Sequence, residues 1–178
     1  MRKLYDENII DQVKNLIDID SIKKRGYKMK QIRNVPDWEN YVSNEYLDGC
    51  IERDEGLNTS RDKNLYSFPK EFSEKLIPIV EELYPDNKVT PSGYFYYPPT
   101  GFCSWHTNFE APYERLYITY SSEEKKSFFR YYQDGKVITD YDDKGITFRQ
   151  FKTPSTKPYF WHCVGSECDR FSFGYRIS

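Results

Sequence analysis

The sequence predicts a mainly β protein, with N-terminal helices followed by an eight-stranded sandwich or jelly-roll core. Three observations predict it. Apolar residues recur at helical spacing up to about residue 88, and from residue 89 the pattern breaks into short strand-like runs. Eight such runs follow one another at even spacing with turn residues between them, as in an antiparallel sandwich. Aromatics make up 18% of the chain, with 17 Tyr and 12 Phe, side chains that pack well on a pleated face.

The elements follow in order. "DENIIDQVKNLIDI" (6–19) places apolar residues at 9, 10, 13, 16, 17 and 19, a helical stripe with Asp6 as its N-cap. "IKKRGYKMKQIR" (22–33) holds six Lys or Arg and no acid. It reads as a solvated surface or a Lys-protected strand edge, or else as a basic rim that guides an anionic substrate. "VPDWENYVSNEYLDG" (35–49) predicts a short helix and "ERDEGLNTSRDKN" (52–64) a loop. "PKEFSEKLIPIVEELYP" (69–85) is a second amphipathic helix, started near Pro69, stopped by Pro85 and kinked at Pro78.

The strand-like runs are 89–98, 102–108, 114–121, 126–133, 136–141, 145–152, 157–163 and 169–178. "QDGK" between the fourth and fifth is a two-residue hairpin signal. The preceding helices are expected to cover one outer face of the sandwich. No linker is visible, so one domain is expected over 1–178, mostly helical in 1–88 and jelly roll in 89–178.

At 178 residues the chain can bury a core without staples. Charged residues are 30% and the net charge is −2, which gives no push toward nucleic acid or anionic membrane. No apolar run approaches 18 residues and no signal-peptide pattern opens the chain, so a cytoplasmic protein without membrane contact is expected. Cys50, Cys103, Cys163 and Cys168 contain no CxxC and are expected to stay reduced.

Only two histidines occur, His106 and His162, and each follows a tryptophan. They fall on the second and seventh runs, which neighbour each other in one sheet of a jelly roll. His106 and Asn108 stand at i and i+2, so a strand would present both on one face. A His, an oxygen ligand two residues on and a distant second His make a facial triad, which leaves open positions on non-haem Fe(II). Trp105 and Trp161 have the opposite parity and are expected to pack in the core. On the last run Arg170, Ser172, Gly174, Arg176 and Ser178 share one parity, with Phe171, Phe173 and Tyr175 on the other. A guanidinium beside a hydroxyl suits capture of a carboxylate. The alternative is a pair of surface arginines on an edge strand.

Residues 89–178 resemble the 2-oxoglutarate/Fe(II)-dependent oxygenases, a superfamily with a double-stranded β-helix core of cupin-like shape. The resemblance rests on His106-x-Asn108, the distal His162 and Arg170-x-Ser172. "Tyr97-Pro-Pro-Thr-Gly101-Phe-Cys-Ser-Trp-His106" is similar to the approach to the first His in the prolyl-hydroxylase-like branch. "Arg170-Phe-Ser172-Phe-Gly-Tyr-Arg176" resembles the last strand of the AlkB-type branch. The "WHTN" stretch also looks like that of small oxygenase-like proteins of marine phages. The resemblance implies a hydroxylase-type dioxygenase using Fe(II), 2-oxoglutarate and O2. It implies His106, Asn108 and His162 as metal ligands. It also implies Arg170, Ser172, Tyr97 and Arg176 around 2-oxoglutarate, with Arg115 as a further candidate.

Asn108 departs from the family's His-x-Asp. A neutral amide oxygen offers hard Fe(II) less than a carboxylate does. Three readings follow: Asn108 ligates through its oxygen, Glu110 supplies the carboxylate, or the metal site is degraded. In the last case the fold is a non-catalytic binding or structural protein. Another metal enzyme on a cupin-like barrel is a further alternative. The substrate class stays open among a small molecule, a nucleotide and a peptide or protein side chain, and no nucleic-acid-reading motif is present.

Overall fold

The computed structural model describes residues 1–3, 5–28 and 37–178. Its core is eight antiparallel strands: β5 (Val89–Tyr97), β6 (Gly101–His106), β7 (Glu114–Ser121), β8 (Ser127–Gln133), β9 (Lys136–Tyr141), β10 (Gly145–Lys152), β11 (His162–Ser166) and β12 (Arg170–Ile177). Four two-residue strands extend the sheets: β1 (Arg2–Lys3), β2 (Tyr27–Lys28), β3 (Lys63–Asn64) and β4 (Tyr66–Ser67). The seven-stranded sheet runs β1-β10-β7-β12-β5-β4-β2 and the five-stranded sheet β3-β6-β11-β8-β9. Consecutive core strands alternate between sheets except at the β8–β9 hairpin, which is jelly-roll connectivity. The fold is therefore mainly β with N-terminal helices and a jelly-roll core, and β6 and β11 are paired neighbours.

Six of the eight expected runs match their strands to within one residue at either end. The second run ends earlier, because β6 stops at His106. The seventh shifts, because pairing begins at His162 and takes in Gly165 and Ser166. Local pattern read those two as a turn, yet pairing on both flanks with β6 and β8 overrides their low strand propensity.

Asp6 caps α1 (Glu7–Leu16) by accepting from the Ile9 N–H. The basic stretch divides. Ile22 to Arg25 complete α2 (Ile19–Arg25), Tyr27 and Lys28 form edge strand β2, and residues 29–33 lie outside the described residues. Trp38–Val42 form a 3-10 turn, and α3 (Asn44–Arg53) starts at the Ser43 cap. The 69–85 segment is two helices, α4 (Glu71–Glu74) and α5 (Ile77–Leu83), instead of one kinked helix. Pro78 lies in the first turn of α5, where its missing N–H costs nothing, so the chain breaks before it.

These helices cover both outer faces of the sandwich, where one was expected. Val13, Ile22, Phe72 and Val80 pack with Leu116, Phe171, Phe173 and Tyr175 outside the seven-stranded sheet. Trp38, Val42 and Leu47 pack with Phe102, Trp105, Trp161 and Cys163 outside the five-stranded sheet. Between the sheets lie Leu65, Tyr97, Cys103, Phe129, Phe151 and Val164. Alternation on β12 thus sends its aromatics outward and Arg170, Ser172, Gly174 and Arg176 to the inner face. All four cysteines are buried and free. No helix among the described residues is long and apolar enough to cross a membrane.

Candidate metal centre

A bulge aims the first histidine. His162 pairs with His106 and Val164 with Cys103, so three steps on β6 face two on β11. The extra residue reverses parity and puts both Cys103 and His106 inside. Trp105 stays outside, where its Nε1 donates to the Ser43 carbonyl at 2.8 Å.

The two imidazoles meet with centroids 4.2 Å apart. His106 Nδ1 lies 2.8 Å from the Ser104 carbonyl, and His162 Nδ1 lies 3.0 Å from the Phe160 carbonyl. A carbonyl only accepts, so each Nδ1 carries the proton and each Nε2 keeps its lone pair. Phe129, Phe151 and Phe160 surround His162, with centroids 5.4, 5.5 and 5.4 Å away. Burial pushes His106 down to about 4, against a smaller opposing effect of the Ser104 carbonyl. Burial, then the neighbouring His106, pushes His162 well below its ordinary value. Both rings are neutral at pH 7, the form that binds metals.

Asn108 reaches the pair, though not as a strand residue. β6 ends at His106, and Asn108 has φ 56°, in the left-handed region that Asn tolerates. The loop before β3 holds it there. The Thr107 N–H donates to the Gly56 carbonyl at 3.1 Å, and the Phe109 N–H to Leu57 at 3.2 Å. Gly56 itself has φ 79°, and a Cβ on it would stand 2.6 Å from the Trp105 carbonyl oxygen. Asn108 Nδ2 donates to His162 Nε2 at 3.2 Å. Glu110 is exposed and bonds the Asn58 amide, away from the histidines.

Among the described residues no cluster of three His, Cys, Asp or Glu forms a metal site. The donors present are two imidazole nitrogens and, once the Asn108 amide turns about its last torsion, one neutral oxygen. This set fits a divalent cation, with one negative charge fewer than a His-His-carboxylate site.

His106, Asn108 and Arg115 line a chamber of about 220 Å³, with Thr59, Ser60, Lys63, Ser92 and Tyr117. Behind it, a cavity of about 40 Å³ touches His162, Tyr97 and Ser172. A groove of about 490 Å³ behind Trp161 is larger, but neither histidine lines it.

The arginines divide between the two ends. Arg170 is fully buried, and its Nε donates to Asp142 Oδ2 at 2.9 Å. Its Nη2 meets Thr119 at 3.3 Å, its Nη1 has no hydrogen-bond partner, and its guanidinium lies 5.1 Å from the Tyr97 ring centroid. Arg149 also grips Asp142. Burial pushes the Asp142 carboxyl up, but Arg170 and Arg149 outweigh it and hold it well below the usual carboxylate range. Arg115 and Arg176 are Cα partners across β7 and β12, six residues along β12 from Arg170. Arg176 lies over the Tyr113 ring at 5.4 Å. The structure thus brings His106, His162, Asn108 and Arg115 together, keeps Ser172 and Tyr97 behind them, and ties Arg170 to Asp142.

Sequence reasoning missed Lys63, Ser60 and Ser92 in the chamber wall, and Asp142. Lys63 and Ser60 fall in a stretch read as loop, and Asp142 in the turn "DDKG". Only tertiary pairing of β3 with β6 shows the first, and only burial shows the second.

Geometry thus defines a jelly-roll protein with a buried two-histidine centre. No protein-family model matches the chain, and no curated protein matches it in sequence. Solved structures do. A prolyl-4-hydroxylase from Pseudomonas putida is 15% identical, covering 96% of this chain and 99% of its own, with a TM-score of 0.44. A 2OG-Fe(II) oxygenase family oxidoreductase from Burkholderia pseudomallei is 9% identical, covering 99% and 93%, with a TM-score of 0.49.

Proposed function

We propose that this chain is a non-haem Fe(II)/2-oxoglutarate-dependent oxygenase of the hydroxylase type, with a His106-Asn108-His162 metal site. The observation that carries this reading is the pair of Nδ1–H groups tied to backbone carbonyls, which leaves both Nε2 atoms unprotonated in one buried place, with only the Asn108 amide on that of His162. Such second contacts set the tautomer and orientation of metal-binding histidines. The metal and 2-oxoglutarate, when bound, supply an O2-dependent oxidative decarboxylation coupled to oxidation of a substrate C–H bond. The chain's own part is to hold, orient and exclude. His106 and His162 hold the metal, and Asn108 turns its oxygen to the third position. Phe129, Phe151 and Phe160 keep water from His162 and its ring neutral. A reduced, cytoplasmic setting belongs to this reading, as do four buried free thiols.

The second reading is a non-catalytic jelly-roll binding protein. One observation favours it: the Asn108 amide already satisfies His162 Nε2, and among the described residues no third His, Cys, Asp or Glu joins the pair.

An anaerobic titration separates them. Purified protein receives Fe(II) and 2-oxoglutarate while the charge-transfer band of the chelate is followed. The oxygenase reading expects a band in the wild type that His162→Ala abolishes. A wild type without the band, restored by Asn108→Asp, sinks the oxygenase and leaves the binding protein.

A further inference from the structure

We infer that β9 is an interface between two copies of this chain, which pair edge to edge and antiparallel about a two-fold axis at Ile138. The inference stands apart from the metal centre and holds whether or not the chain is an oxygenase.

Backbone geometry is the first argument. β9 ends the five-stranded sheet and pairs only with β8. Asp134 and Gly135 have φ 52° and 77°, so the hairpin turns through two residues in type I′ geometry. Gln133 and Lys136 are the hydrogen-bonded pair that closes it. Backbone groups alternate along an antiparallel strand, so those of Lys136, Ile138 and Asp140 face β8. The Asp142 N–H, which donates to the Ser127 carbonyl, keeps the same parity. Those of Val137, Thr139 and Tyr141 therefore face outward, and among the described residues they have no backbone partner.

Exposure is the second. Ile138 is 38% and Tyr141 46% exposed, two of the five exposed large apolar side chains among the described residues. Both stand on one strand of six residues. An open edge with apolar side chains is a template for another strand.

Self-complementarity chooses the occupant. The outward groups sit on odd-numbered residues, so odd must meet odd across the axis. With Ile138 opposite Ile138 of the second copy, Lys136 faces Asp140 and Val137 faces Thr139, each twice. Tyr141 then lies over Gly135, where a Cβ would meet nothing within 4 Å. Moving the axis to Val137 or Thr139 sets Ile138 against Lys136 or Asp140. Moving it to Lys136 or Asp140 sets like charges face to face, which is destabilising. Lys136 is exposed and has no ionic partner among the described residues. Asp140 keeps 18% of its side chain exposed beside its bond to Arg149. A lysine on an edge ordinarily guards it against pairing, and here the acid of the second copy answers that guard. The contact is one short strand wide, so association is weak and concentration-dependent.

The test is sedimentation velocity of the full chain up to about 1 mM, which should show a monomer–dimer equilibrium. Lys136→Glu opposes an acid to Asp140 at both ends and should weaken association about tenfold or more. Ile138→Lys sets two cations on the axis and should weaken it as much. Both positions are exposed, so melting curves at low concentration should match the wild type. Cysteine substitution reads the register. Directly opposed residues outside the hydrogen-bonded pairs have Cα atoms about 4.5 Å apart, within disulfide reach. Ile138→Cys should therefore crosslink the dimer under a mild oxidant, while Tyr141→Cys should not. The four native thiols are buried and do not compete. A chain that stays monomeric, a dimer that both charge variants leave intact, or crosslinking at Tyr141→Cys as fast as at Ile138→Cys would each overturn the inference.

Discussion

The two ends of β12 carry the same residue type in opposite electrostatic states. At one end Arg170 and Arg149 face Asp142 and Asp140, two cations against two anions, all fully buried except Asp140. At the other, Arg176 pairs with Arg115 across the strands, and Arg115 lines the chamber beside His106, with no carboxylate among the described residues in that chamber. The first end is complete without a ligand. The second has no counter-charge of its own among the described residues of the chamber. Buried ion pairs are costly to break, while an unmatched buried cation is itself a cost that folding must offset elsewhere. The difference therefore separates a structural use of arginine from a binding use.

The largest effect should come from breaking the complete end. Asp142→Asn leaves the fully buried Arg170 without its anion and Arg149 with Asp140 alone. The expected loss is about 3–5 kcal/mol of unfolding free energy, read by denaturant titration. Arg115→Met removes a charge that has no ionic partner and should cost about 1 kcal/mol or less. Equal losses would erase the distinction between the ends. The pH dependence follows the same logic. The folded Asp142 carboxyl lies below its ordinary 3.8, so its stabilisation is present above that value and is lost as pH falls through the folded one. Acid unfolding of the wild type should steepen below about pH 4, and Asp142→Asn should flatten it.

Sequence patterns made one end far more legible than the other. Parity on β12 put Arg170, Ser172 and Arg176 on one face and the aromatics on the other, because a strand alternates whatever its surroundings, but parity alone left lumen and solvent open for the arginine face. The jelly-roll order and the meeting of His106 with His162 were legible for the same reason. Three features were not. The bulge between Cys103 and His106 changes parity without a local signal in "FCSWH". Asn108 reaches His162 through a left-handed turn set by Gly56 and Leu57, about fifty residues away in sequence. Asp142 looks like any turn aspartate until two distant arginines close on it. Each depends on a long-range contact, which periodicity cannot encode.

A middle-sized effect concerns the metal. Asn108→Asp puts the missing negative charge beside two neutral imidazoles. Divalent-metal affinity should rise about tenfold or more, measured by competition with a chromophoric chelator. Because the Asn108 side chain and the Arg170–Asp142 pair share no partner, this change should leave the acid-unfolding profile where it was. Movement of both would show that the two ends of β12 are coupled.

The smallest effect is the dependence on salt. The chamber meets mobile ions, and exposed charges are screened over about 10 Å at 0.1 M salt and about 3 Å at 1 M. The 2-oxoglutarate affinity of the proposed oxygenase should therefore fall about threefold or more when salt rises over that range. The Arg149–Asp142–Arg170 cluster excludes solvent, with both members of each of its two ion pairs at zero side-chain exposure, so ions cannot enter between them. The acid-unfolding midpoint should shift much less over the same range. A comparable salt response at both ends would mean that the sealed cluster opens in solution, and Arg170 would then re-enter as a competitor for the anion. A flat response at both would remove charge as the basis of 2-oxoglutarate binding and leave Arg115 as a packing residue.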